Sequence, residues 1–217
     1  MTILLSDPRV VAVPVRDASV PLVRLDEGFG RSRALVRADL AERLQIARRA
    51  LPDGILLHVI EGYRCVEDQQ AIIAGYSAEL RAGQPGLADN ELHRLTSRFV
   101  APVEVAPHVA AAAVDVTLVG RDGLELDMGT PVDATPEASG GACFFAAEGI
   151  GAEARVNRDL LARVLEGAGL VNYPTEWWHW SYGDRYWALM TNAAAAMHGP
   201  ITAEQASRSL LLAEEAA

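Results

Sequence analysis

Glu176-Trp177-Trp178-His179 places a carboxylate three residues ahead of an imidazole. That is a potential general base beside a potential metal ligand. The surrounding run from Tyr173 to Trp180 is dense in aromatic residues, a composition that favours a strand. On a regular strand positions 176 and 179 face opposite sides, so the motif needs a bulge or twist that re-aims one of them. The plain alternative is an aromatic core strand holding one hydrogen-bonded histidine. Upstream, His108 and Asp115 are seven positions apart, and Asp115 opens the β-branched run Val114-Asp115-Val116-Thr117-Leu118. With His179 they make two nitrogens and one oxygen, a set zinc accepts while leaving its fourth position open. No His-Glu-x-x-His motif supplies two ligands from one helix, so such a site has to be assembled from separate strands. A loop histidine after Pro107 and a strand-edge carboxylate are the bland readings. A third element, Glu61-Gly62-Tyr63-Arg64, follows the apolar run Ile55 to Ile60. Glycine there permits tight backbone geometry, and arginine offers a planar fork of donors suited to a carboxylate or a developing oxyanion. A surface salt bridge is the simpler reading.

Taken in chain order, Gly62-Tyr63-Arg64, His108-x(6)-Asp115 and Glu176-Trp177-Trp178-His179 resemble the zinc D-alanyl-D-alanine dipeptidases of the vancomycin-resistance type. Those enzymes belong to the wider group of D,D-peptidases with the hedgehog-like fold. Leu126-Asp127-Met128-Gly129-Thr130-Pro131-Val132-Asp133 is similar to the family's Met-Gly-x-x-x-Asp segment, and the resemblance runs from about Asp26 to Trp187. It implies one zinc per chain held by His108, Asp115 and His179, with Glu176 as general base and Arg64 as the transition-state arginine. It further implies that Asp133 holds a substrate's free amine. Glu61, where the family usually has aspartate, would keep Arg64 aimed. The implied fold is α+β, a small central antiparallel sheet flanked by helices. The implied reaction is hydrolysis of a short peptide of the D-Ala-D-Ala type. Two alternatives are a D,D-carboxypeptidase or endopeptidase acting on cell-wall peptidoglycan peptides, and a zinc-binding module without catalysis. Three departures stand out. Ala106 occupies the family's serine position, Ala111 its glycine position, and the first tyrosine, Tyr63, comes later than the one the family keeps near the substrate amine. If that glycine serves a left-handed backbone, alanine costs on the order of 1 kcal/mol or more.

Half of the 217 residues are hydrophobic, and the length suits one folded domain over residues 1–217. A formal charge of −10 without a basic patch argues against nucleic acid or an anionic membrane surface as partner. No stretch approaches the roughly 20 apolar residues of a membrane span. Met1 to Pro8 lacks the pattern of a secretory signal, and two cysteines are too few to staple a secreted scaffold, so the expected location is cytoplasmic. Cys65, although beside Arg64, reads as a packing thiol, and His58, His93 and His198 read as structural or solvated. A small peptide is the expected partner, with the oligomeric state left open.

The elements that must position these residues are a helix from Arg33 to about Ala50, a strand at 55–60 and a helix from about Val66 to Arg81. Residues 84–112 read mostly as loop, long enough for a lid or a lining of the site. A strand at Val114–Val119 turns through Gly120–Gly123 into a second arm at Leu124–Met128. Loop follows over 129–151, then a helix from about Ala154 to Glu166 stopped by Gly167 and Gly169. The Glu176 strand, a turn at Tyr182–Tyr186 and a helical tail from about Ala203 complete the chain.

Overall fold

The computed structural model describes residues 2–215. After a short helix α1 (Pro8–Val11), β1 (Leu22–Arg24) pairs antiparallel with β2 (Leu35–Arg37) as a separate two-stranded sheet. Helix α2 (Ala38–Arg49) then leads to β3 (Ile55–Glu61), α3 (Val66–Gly83), α4 (Asp89–Thr96) and β4 (Ala113–Gly120). Helix α5 (Ala152–Gly167), β5 (Val171–Asn172), β6 (His179–Ser181), α6 (Arg185–Thr191) and α7 (Ala203–Glu215) follow. The central sheet is antiparallel throughout, in the order β3-β4-β6-β5, and helices flank it. The fold is α+β, as expected. Among the described residues no helix is long and apolar enough to cross a membrane.

β4 is the spine. Val114, Val116 and Leu118 send their side chains into a core shared with Leu57 and Val59 of β3, Leu40 and Leu44 of α2, and Leu161 and Leu165 of α5. Period-two alternation turns Asp115 and Thr117 to the other face, so one strand carries both the core and a polar row. Helix α5 ends where Gly169 adopts φ 87° and its N–H and that of Leu170 bond back to Glu166 and Leu165.

Four local expectations are corrected. The helix expected from Arg33 starts at Ala38, because Leu35 to Arg37 pair with β1 instead. Three residues of apolar spacing cannot distinguish the two states, and tertiary pairing decides. The stretch 84–112 contains α4, whose Leu92 and Leu95 pack on Tyr76 and Leu80 of α3. The hairpin turn after Gly120 forms, but its second arm is reduced to a bridge between Val119 and Glu125. Leu124 there is largely exposed, and the arm is tied to β4 by the Leu126 N–H donating to the Leu118 carbonyl and by the packing of Leu126 against the core rather than by a full ladder. The Glu176 segment is turn rather than strand up to His179. The tail helix covers the core beside β1, where Ala206 packs near Leu22 and the Ser209 hydroxyl accepts the Leu22 N–H at 2.8 Å.

Candidate active site

Three strands bring polar side chains into one row. Asp115 lies directly across from Glu61 on one side and from His179 on the other. The β3–β4 ladder is regular from Ile55 to Val59 and then steps by one residue, so that Ile60 bulges out and Glu61 takes the place opposite Asp115. Without that step Glu61 would share the face of Leu57 and Val59 and point into the apolar core. The bulge therefore sets which face the carboxylate occupies. Just beyond it, a Cβ at Gly62 would lie 2.4 Å from the Leu35 carbonyl oxygen, so the close passage of the chain over β2 requires glycine.

His108 sits in the tight turn before β4. Its Nδ1 is 2.7 Å from the Gly62 carbonyl oxygen, to which it donates, leaving Nε2 as the free lone pair. That Nε2 lies 3.0 Å from His179 Nδ1 and 3.3 Å from Asp115 Oδ1, and His179 Nδ1 is 3.1 Å from the same carboxylate oxygen. The donor atoms of all three residues fall within 4.8 Å of one another, and all three side chains are buried. Two imidazole nitrogens and a carboxylate oxygen converging at this range crowd lone pairs that protons alone satisfy poorly. A small divalent cation fits such a set, and three protein ligands leave an open coordination position. Burial lowers the pKa of His179. For His108 burial acts downward as well, yet the adjacent Asp115 outweighs it and the pKa rises. Asp115 itself is held far below the usual carboxylate range, because the two histidines more than offset its burial.

Glu176 reaches the same space through backbone turns. Its N–H bonds to the Tyr173 carbonyl at 2.9 Å, and the His179 N–H bonds to the Glu176 carbonyl at 3.3 Å. Neither a strand bulge nor a twist is involved. Pro174 lacks an N–H for a ladder, the chain turns there, and the second turn swings residues 176 and 179 to one side. Glu176 Oε2 lies 3.8 Å from His179 Nδ1. Burial, followed by the charges of Asp115 and Asp133, pushes its carboxyl well above the ordinary range. A cation among the neighbouring ligands would offset that repulsion.

Arg64 is nearly buried and fully directed. Nε donates to Glu61 Oε1 at 2.7 Å, Nη2 donates to Glu61 Oε2, and Nη1 donates to Gln69 Oε1 at 2.9 Å. Gln69 is itself fixed, its amide N–H donating to the Ala101 carbonyl at 2.7 Å. A cavity of about 300 Å³ opens over these groups, lined by Glu61, Arg64, His108, Asp115, Glu176 and His179, with Asp133 also on its wall. Its size is at the small end of the ~300–1,000 Å³ typical of small-molecule sites. Asp133 is exposed as a residue, and partial desolvation of its carboxyl at the cavity wall, together with the charges of Asp115 and Glu61, pushes it up to about 6. All seven side chains singled out in the sequence thus line one cavity.

The departures also have places. Ala106 is buried and lines the cavity wall. Ala111 has φ 55°, the left-handed region that costs a residue with a Cβ roughly 1–2 kcal/mol. Its methyl group is fully buried against Leu22, Ile201 and Ala206, and burial of that order, ~0.8 kcal/mol per methylene-sized group, offsets much of the strain. Tyr63 lies away from the cavity, beside Ile201. Cys65 caps α3, its sulfur accepting the Asp68 N–H, and His198 is buried with Nε2 3.0 Å from Asp39 Oδ2.

Several contributors escape sequence reasoning. The Gly62 carbonyl carries no side-chain signal, and Gln69 is one polar residue among many in its helix. Tyr173 holds the wall, its hydroxyl accepting the Leu5 N–H at 3.2 Å and donating to the Ser97 carbonyl while its ring meets His179 edge-on. Arg158 of α5 is fully buried without a carboxylate partner. It donates to the carbonyls of Met128, Ala142 and Phe144 at 2.7, 2.8 and 2.7 Å, and its guanidinium lies 5.5 Å from the Trp177 ring. It thereby gathers the loop that bears Asp133 against the Glu176 turn.

Comparison with known proteins bears on this arrangement. The vancomycin-resistance D,D-pentapeptidase VanY from a VanB-type cassette, solved in complex with Zn(II), is 19% identical with a TM-score of 0.48, covering 87% of this chain and 96% of that one. VanYB in complex with D-alanine-D-alanine is 20% identical with a TM-score of 0.49, covering 88% and 96%. A D-alanyl-D-alanine dipeptidase of Synechocystis sp. is 28% identical, over 88% of this chain and 93% of its own length. The profile of the D-ala-D-ala dipeptidase family matches residues 28–196, which include every side chain of the row, the turn and the Arg64 clamp, and the chain belongs to that family of metallopeptidases.

Proposed function

We propose that the chain is a zinc-dependent dipeptidase for short peptides of the D-Ala-D-Ala type, working as one peptidase domain over residues 1–217. The observation that carries this reading is the convergence of His108 Nε2, Asp115 Oδ1 and His179 Nδ1 beside Glu176, under a cavity that Arg64 also lines. His108, Asp115 and His179 would hold one zinc ion, which when bound polarises a carbonyl and acidifies water. Glu176, whose carboxylate lies beside the ligand cluster, takes a proton from the attacking water and passes it to the leaving amine. Arg64 spends one N–H of each nitrogen on Glu61 and Gln69, and its two remaining N–H groups are available to the oxyanion of the tetrahedral intermediate. Asp133 pairs with the substrate's α-ammonium, whose charge brings the carboxyl back down and keeps it ionised. Both cysteines are free, and a cytoplasmic, reducing compartment completes the reading.

The test compares kcat/KM of the zinc-loaded protein for D-Ala-D-Ala and its N-acetyl derivative. Acylation removes the charge that Asp133 answers, so the free dipeptide is cleaved more than tenfold better. Equal rates would favour the carboxypeptidase alternative on wall peptides. No turnover of any peptide would overturn the reading.

A further inference from the structure

A second cavity, of about 470 Å³, shares no lining residue with the catalytic one. The segment leading into β1, the end of β2 and one side of α7 enclose it, and its charged groups are Asp17, Arg37 and Arg208. Arg37 is out of balance. Its side chain is only 6% exposed, yet Asp17 Oδ2 stands 3.9 Å from Nη2, beyond hydrogen-bond range, on a side chain that is 47% exposed. Nε donates to the Ala110 carbonyl at 3.1 Å and Nη1 to the Val20 carbonyl at 2.8 Å, whereas Nη2 is buried without an acceptor among the described residues. Asp39, the other nearby acid, is engaged by His198 Nε2 at 3.0 Å. Desolvation accordingly draws the Arg37 pKa down further than Asp17 and Asp39 raise it.

A buried guanidinium short of a partner is costly, and this one is held in place by the backbone it serves. Besides the Nε bond to Ala110, the Arg37 N–H donates to the Ala111 carbonyl at 3.0 Å, so the residue anchors the turn that follows His108. Arg208, from α7, brings a second cation to the same cavity. Two arginines against one half-exposed acid leave one positive charge to be met, which matches a singly charged anion. Pro21 is exposed and Val20 half-buried on the same wall, so hydrocarbon lies open beside the charges. We propose that this cavity binds a small carboxylate with a short apolar body, its oxygens answering Arg37 and Arg208 and displacing the Asp17 side chain.

The experiment titrates the zinc-loaded protein with sodium propionate by calorimetry at constant ionic strength, with chloride as the reference anion and inorganic phosphate as a second probe. Saturable binding of propionate, tighter than that of phosphate and accompanied by a rise in Tm, is expected. Asp17→Asn keeps the side-chain oxygen that accepts the Ser19 N–H and removes the competing charge, so affinity is expected to rise at least threefold. Arg208→Gln is expected to lower it at least threefold. Arg37→Met should abolish binding, but it strips two backbone carbonyls of their donors and can unfold the chain, so the two exposed positions carry the test. A carboxylate held instead by zinc or by Arg64 would be indifferent to both exposed variants, and that result would overturn the proposal. Absence of saturable binding would overturn it as well, and tighter binding of phosphate would overturn the assignment of a carboxylate.

Discussion

Glu61 stands opposite Asp115 only because Ile60 is extruded from the ladder between β3 and β4. Two carboxylates on neighbouring strands repel, and Arg64, chelated by Glu61 and fixed by Gln69, supplies the balancing charge. Arg64→Lys replaces a directed fork by a point charge that cannot serve Glu61, Gln69 and an oxyanion together. It is expected to lower kcat/KM about 10²-fold while zinc content stays unchanged, as read by steady-state kinetics beside metal analysis. Undiminished kcat/KM would remove Arg64 from the chemistry.

Three proposed ligands, His108, Asp115 and His179, leave no redundancy. His108→Ala, Asp115→Ala and His179→Ala are each expected to abolish stable zinc binding, measured by elemental analysis after dialysis against a weak chelator. A His179→Ala protein that retains one zinc per chain would place the metal elsewhere.

Glu176 lies beside the ligand cluster without being needed to complete it. Glu176→Ala is expected to keep its zinc and lose 10²–10⁴-fold in kcat, the usual contribution of a positioned general base. Near-normal turnover in that variant would mean that another group moves the proton.

Asp133 gives a pH signature in the metal-free protein. Its carboxyl sits at about 6 in the folded chain against an ordinary 3.8, so the folded state holds the proton more tightly than the unfolded one. A raised carboxylate pKa costs stability as pH climbs from 3.8 through about 6, and the loss is complete above that window. Asp133→Asn removes the penalty, and asparagine tolerates the φ of 62° found there. Discounted for the exposure of this side chain, the gain is about 1 kcal/mol above pH 6.5, a rise in Tm of about 2–4 °C, and nil at pH 3.5. Calorimetric scans at the two pH values check it. A gain of equal size at both would mean that charge is not the cause.

Arg158 has backbone carbonyls for partners rather than an acid. Arg158→Met leaves those buried acceptors unpaired and is expected to cost 3 kcal/mol or more in urea unfolding. Because the residues proposed to hold zinc are carried by other elements, folded protein is expected to keep the metal content of the unaltered chain, with KM raised through displacement of the Asp133 loop. A stability loss below 1 kcal/mol would show that the loop holds without it.

The sequence by itself determined the chemical inventory and the long elements. Two imidazoles, one carboxylate, Glu176 and Arg64 are identities no fold can alter, and α2, α3 and α5 announce themselves because many apolar residues recur at helical spacing. Tertiary structure decided everything that rests on pairing between distant segments. Leu35 to Arg37 became a strand because β1 was there to pair with, and Ile60 was extruded because Asp115 and Val116 fix opposite faces of β4. The turns at Tyr173 to His179 replaced a plausible aromatic strand, since Trp177 directs its N–H to the Cys143 carbonyl of a remote loop. The Tyr173 hydroxyl and the Ser6 to Ser97 hydrogen bond tie the N-terminal segment to residues nearly a hundred positions away. Local spacing carries no record of such contacts, because their free energy is realised only when the chain has closed those long loops.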